Sequence, residues 1–134
     1  MITLVDYYMG RDKLYPDELT AKRRLNATRT VELVNALLKR YQDTGGDVSH
    51  AVVSSGWRPP QINAKVRNAA PRSNHMECLA CDIADVSGKL DAWCLANQSV
   101  LHELGLWLEH PGYTKGWCHV QTVPPRSGNR VFIP

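Results

Sequence analysis

Apolar residues recur at three- and four-residue steps through the first third of the chain: Leu25, Val31, Val34, Leu38 and Tyr41, with Thr28 in the same series. That spacing predicts a long amphipathic helix, opening at Pro16-Asp17-Glu18-Leu19-Thr20 and ending at Gly45-Gly46. The period then shortens. Ala51-Val52-Val53-Ser54-Ser55 reads as a short strand running into Gly56-Trp57-Arg58. Pro59-Pro60 turns the chain and starts a short helix over 61–68, with Ile62 and Val66 on its inner side. Leu79 to Ile83 reads as a second strand with Asp82 near its end. The N-cap candidate Asp91 then precedes a second amphipathic helix carrying Trp93, Cys94, Val100, Leu101 and Leu104. Leu106-Trp107-Leu108-Glu109 and Trp117-Cys118-His119-Val120-Gln121 flank Pro111-Gly112-Tyr113 as a hairpin, and the tail from Pro124 to Pro134 reads as irregular. Helices alternating with short strands predict an α+β fold over residues 1–134. We expect one domain, with a small antiparallel sheet packed against two main helices.

Composition narrows the partners. A chain of 134 residues, 43% apolar and 22% charged, can bury one core without disulfide staples. Sixteen basic and thirteen acidic residues leave a net charge of only +3, too weak and too dispersed to argue for nucleic acid. Lys22-Arg23-Arg24 reads as a solvated helix face. No apolar run approaches the roughly 18 residues of a membrane span. The segment Met1–Lys13 contains Asp6, Arg11 and Asp12 and lacks an apolar signal core, so the expectation is cytoplasmic synthesis of a monomer. The four cysteines are expected to be free thiols. Cys78 and Cys81 have C-x-x-C spacing, but no second such pair follows to complete a zinc knuckle, and no helix starts after Cys81 to make a redox motif.

The chemistry gathers in Ser73-Asn74-His75-Met76-Glu77-Cys78-Leu79-Ala80-Cys81-Asp82 and, far downstream, at His119. Two imidazoles and one carboxylate form an N/N/O ligand set suited to zinc, and three protein ligands leave a fourth position open. Asp82 lies in an apolar stretch, where an unpaired carboxylate is costly, so it requires a cation or several hydrogen bonds. From spacing alone, the three residues fit either a metal centre or separately satisfied polar groups. His50, His102 and His110 lack comparable context and read as surface or core histidines.

The arrangement Ser73-x-His75-x-x-x-x-Ala80-x-Asp82, with Ser55-Gly56-Trp57-Arg58 upstream and Trp117-x-His119 downstream, resembles the zinc D-alanyl-D-alanine peptidases. That family includes bacterial D,D-carboxypeptidases, vancomycin-resistance D,D-dipeptidases and phage endolysin peptidases. The resemblance covers roughly residues 52–123, and the segment from Gln121 to Gly128 is most similar to small phage or prophage members. It implies one Zn²⁺ per chain in a cleft over the sheet, held by His75, Asp82 and His119. Arg58 and Ser73 are implied at the substrate, a peptidoglycan stem peptide, with action on the cell wall after release from the cytoplasm. The implied chemistry is physically consistent, because zinc activates water near neutral pH and a fixed guanidinium stabilises an oxyanion.

Two positions depart from the family pattern. Many members carry an acid three residues before the last histidine, where this chain has Gly116, which cannot transfer a proton. Cys78 replaces a glycine, so a thiol fits there only if the backbone avoids positive φ. Glu109 is the best substitute base. A hairpin register setting Glu109 opposite Trp117 and Trp107 opposite His119 would put Glu109 on the face of His119, one diagonal step away. Glu77, two residues after His75, is a weaker candidate. Two functions therefore remain: a zinc peptidase, or a non-catalytic zinc module of the same fold, as animal hedgehog signalling domains exemplify.

Overall fold

Side chains alternating along the two middle strands divide the molecule into one side that packs on helices and one that carries the polar cluster. The computed structural model describes residues 1–134. Helices α1 (Leu4–Tyr8) and α2 (Arg11–Leu14) and a 3₁₀ turn at Pro16–Glu18 lead into the long α3 (Ala21–Asp43). Strand β1 (Val53–Ser55) and α4 (Pro60–Asn63) precede a 3₁₀ turn at Asn74–Glu77 and strand β2 (Ala80–Asp85). Then come α5 (Lys89–Ala96), α6 (Gln98–Leu104), β3 (Trp107–Glu109), β4 (Gly116–Gln121) and β5 (Val131–Phe132).

The strands form one sheet in the order β1-β2-β4-β3-β5. The fold is α+β as the pattern predicts, but the sheet is mixed, because β5 runs parallel to β3. That edge strand comes from the tail expected to be irregular. Two residues are too few to show a period. Their strand character is tertiary, with Leu108 N–H donating to Arg130 O (2.9 Å) and His110 N–H to Phe132 O (2.8 Å).

Thr20 caps α3 by accepting from the Arg23 N–H (3.2 Å). The buried face of α3 carries Ala27, Thr30, Val31, Val34, Leu37, Leu38 and Tyr41. Leu25, expected in this stripe, is 73% exposed. Small Ala27 and Thr30 take the packed side instead, and the Thr30 hydroxyl donates to Cys78 O (2.7 Å). Across the sheet, Cys81, Ile83, Cys118, Val120 and Leu108 join Leu90, Cys94 and Leu101 in the same core. All four cysteines are free and buried, as expected of thiols acting as small apolar residues.

Other boundaries moved for identifiable reasons. The helix expected over 61–68 stops at Asn63, whose side-chain amide donates to Ala70 O (2.9 Å), and Val66 is exposed. Asp91 does not cap α5. Asp85 does so from β2, accepting from Leu90 N–H (3.2 Å) and Asp91 N–H (2.9 Å). The second predicted helix breaks at Asn97, giving α5 and α6. The hairpin pairs Trp107 with Gln121 and Leu108 with Val120, so Trp107 lies two residues further along β4 than expected. No helix is long and apolar enough to cross a membrane.

Candidate metal centre

In β2 and β4, Asp82 pairs with His119, Ala80 with Gln121 and Ala84 with Trp117. Residues two apart on a strand share a face. Ala80, Asp82, Ala84, Trp117, His119 and Gln121 therefore lie opposite the helix-packed residues. Continuing the β3–β4 register by one step brings Glu109 level with His119 on this same face. The register expected from sequence was off by two residues. An even shift preserves the face and makes the neighbour direct rather than diagonal.

His75 reaches this face from the 3₁₀ turn beside β2. Ser73 caps that turn, its hydroxyl accepting the His75 N–H (3.2 Å). The turn ends at Cys78 in the left-handed region, φ 59° and ψ 31°. The expectation that a thiol here implies an ordinary backbone is thus overturned. A non-glycine residue in this conformation costs about 1–2 kcal/mol. Tertiary contacts hold it there, since Cys78 is fully buried and its carbonyl receives the Thr30 hydroxyl. Burial also pushes the Cys78 thiol up to about 12, so without a metal it stays protonated.

The nitrogen and oxygen donors of His75, Asp82 and His119 all lie within 4.8 Å of one another. His75 Nδ1 contacts Gly56 O at 2.9 Å, and because a carbonyl only accepts, Nδ1 carries the proton. Nε2 is then a bare lone pair, fully buried and without a hydrogen-bond partner. It lies 3.3 Å from Asp82 Oδ2, so two acceptors face each other. A cation between them resolves that conflict. Tetrahedral bonds of about 2.0–2.2 Å imply ligand–ligand separations of about 3.4 Å, close to what His75 and Asp82 show. His119 Nδ1 is nearer, 2.7 Å from Asp82 Oδ1, which is a hydrogen bond's length. The donor set and the orphaned nitrogen fit zinc.

Electrostatics point the same way. Burial lowers the pKa of His75, only partly opposed by Asp82, so it is held neutral. Burial alone would lower His119 too, but the hydrogen bond and charge of Asp82 raise it. Asp82, which burial alone would raise, is held well below the carboxylate range by His75 and His119. A proton on His119 Nδ1 thus stands where a metal would bind.

Arg58 is buried at the edge of the cluster. Its Nε donates to Ser55 Oγ (3.2 Å) and its Nη1 to Asn63 Oδ1 (3.2 Å), while Nη2 stands 3.9 Å from Asp82 Oδ2. The guanidinium is therefore fixed with one edge toward the donors. Glu109 is half-buried, and burial raises its pKa against the opposing pull of His119. Glu77 is turned away, gripped by Arg23 of α3 through Nη2–Oε2 (2.8 Å) and Nε–Oε1 (3.3 Å). The same pair corrects the reading of Arg23 as part of a solvated face. Gly116 has φ 101°, a conformation side chains rarely adopt, so an acid at that position would be strained.

Three contributors escaped the sequence reading. Gly56 supplies the carbonyl that orients His75. Gln121 contacts His119 Nε2 at 3.0 Å, and its period-two spacing from His119 was a usable signal. Phe132 packs its ring edge-on against His119 at 6.1 Å and had no signal, coming from a two-residue strand.

A family model described as peptidase M15 matches residues 12–121. No curated protein and no solved structure matches the chain.

Proposed function

The chain belongs to the peptidase M15 family, and from that premise we propose that it is a zinc metallopeptidase hydrolysing an amide bond in peptidoglycan stem peptides. The observation that carries this reading is the buried, partnerless Nε2 of His75 facing Asp82 and His119 within 4.8 Å. In this reading His75, Asp82 and His119 hold one Zn²⁺ per chain. Zinc, when bound, supplies Lewis acidity and lowers the pKa of water to about 7.

The chain's own groups supply the rest. Arg58, pinned by Ser55 and Asn63, presents Nη2 to the oxyanion that forms on the scissile carbonyl. Glu109, level with His119 and raised by burial, accepts the proton of the attacking water and returns it to the leaving amine. The Ser73 oxygen accepts from the His75 backbone, which leaves its O–H free to donate to substrate. The reaction is either D,D-carboxypeptidase or endolysin-type endopeptidase cleavage, and the resemblance of residues 121–128 to small phage or prophage members suits the endolysin form.

A second reading, a zinc module without turnover, is favoured by Gly116 at φ 101°, where the family's usual acid is missing. Digestion of purified peptidoglycan by the zinc-loaded protein, read by mass spectrometry for new stem-peptide ends, separates the two. The peptidase reading expects chelator-sensitive cleavage at one bond type. A zinc-loaded protein that leaves all muropeptides intact supports the module.

A further inference from the structure

Gln121 is 4% exposed and lies two residues beyond His119 on the same face of β4, paired with Ala80 on one side and Trp107 on the other. Its amide cannot turn freely. The Nε2 group donates to Val123 O at 3.0 Å, and a carbonyl only accepts, so the NH₂ end must point there. The Oε1 end then faces His119 Nε2 at 3.0 Å. An amide oxygen also only accepts, so Nε2 of His119 must carry a proton. Nδ1, the other nitrogen, gives its proton to the hydrogen bond with Asp82 Oδ1 at 2.7 Å, and losing that proton leaves the lone pair there.

We propose that Gln121 is a positioning residue that selects Nδ1 of His119 as the metal-facing atom, an assignment that rests on the zinc reading above. The two imidazoles are then used in opposite senses. His75 is anchored through Nδ1 by Gly56 O and offers Nε2, whereas His119 is anchored through Nε2 by Gln121 and offers Nδ1. Both anchors are hydrogen-bond acceptors built into the fold: Gly56 O keeps a proton on Nδ1 of His75, and Gln121 keeps one on Nε2 of His119, so the proton a metal displaces is the one between Nδ1 and Asp82. Without the Gln121 acceptor, the hydrogen bond to Asp82 favours the tautomer protonated on Nδ1, which presents a protonated nitrogen to the cluster.

The test uses the full chain and zinc itself. Zinc affinity is measured by chelator competition for the wild type, Gln121→Leu and Gln121→Glu, and the bound nitrogen of His119 is identified by ¹⁵N NMR of the imidazoles. Gln121→Leu removes the acceptor and should bind zinc about 10–100-fold more weakly. Gln121→Glu keeps the shape and an acceptor toward Nε2 and should restore near wild-type affinity, and the identity of the zinc-bound nitrogen is the readout that a packing role would not move. In the wild type, Nδ1 should carry zinc and Nε2 a proton. Zinc on Nε2 of His119, or wild-type affinity in Gln121→Leu, overturns the assignment. If the leucine variant does not fold, zinc on Nε2 of His119 in the wild type still overturns the assignment. A wild type that takes up no zinc overturns the zinc reading itself, a failure distinct from zinc bound through the wrong nitrogen.

Discussion

Replacing Gly56 by alanine should damage both the fold and the metal centre, because one small residue joins the N-terminal segment to His75. A Cβ built on Gly56 falls 1.9 Å from Tyr7 O and 2.8 Å from Tyr7 C. Ordinary contact needs more than 3 Å, so one of two backbone segments must move by over an ångström. Neither is free to do so. Tyr7 O accepts the Trp57 N–H at 3.1 Å, and the fully buried Tyr7 is pinned at its other end by its hydroxyl on Ala80 O at 2.7 Å. Losing the Trp57–Tyr7 bond costs about 1–3 kcal/mol for an unsatisfied buried group. Overpacking adds about 1–3 kcal/mol. Urea denaturation of metal-free Gly56→Ala should therefore show a loss of about 2–6 kcal/mol. Any shift of Gly56 also moves the carbonyl that orients His75, so zinc affinity should fall about 10–100-fold. Stability within about 0.5 kcal/mol of wild type, the range of an inert surface change, together with unchanged zinc binding, would refute the reasoning.

Glu109→Gln keeps the side-chain shape and removes the base, so it should retain zinc and fold while losing about 10²–10⁴ in rate; an unchanged rate would acquit the residue. Arg58→Lys should keep its zinc yet turn over slowly, because a point charge cannot copy the planar fork held by Ser55 and Asn63. Wild-type kinetics in that variant would remove Arg58 from the oxyanion site. Zinc binding should displace a proton from His119, which Asp82 raises against burial, and none from His75, which burial already holds neutral. Affinity should accordingly fall as pH drops below the raised pKa of His119 and level off above it. Calorimetric titrations in buffers of different ionisation heat measure that proton directly, and a pH-independent affinity would contradict it.

The clustering of His75, Asp82 and His119 was legible through the resemblance to the zinc peptidases, since spacing alone also fitted separately satisfied polar groups. Arg58 was legible through its place between a strand and two prolines. The face of Glu109 survived an incorrect register because an even shift conserves strand parity. What depended on tertiary contact could not be read. Leu25 fits the helical period as well as Val31 does, and only the choice of Ala27 and Thr30 against the sheet leaves it exposed. The αL conformation of Cys78 is imposed by its surroundings, against the preference of the residue. β5 exists only because β3 offers an open edge to Val131 and Phe132.

The central claim is that His75, Asp82 and His119 together hold one zinc ion, and locating that ion tests it most directly. Anomalous diffraction at the zinc edge, from crystals of the protein purified with zinc, gives the position without assumptions about activity. The account predicts one peak per chain at about 2.0–2.2 Å from a nitrogen of each histidine and an oxygen of Asp82, lost in His75→Ala. A peak on cysteine sulfur, or full occupancy in His75→Ala, would contradict it.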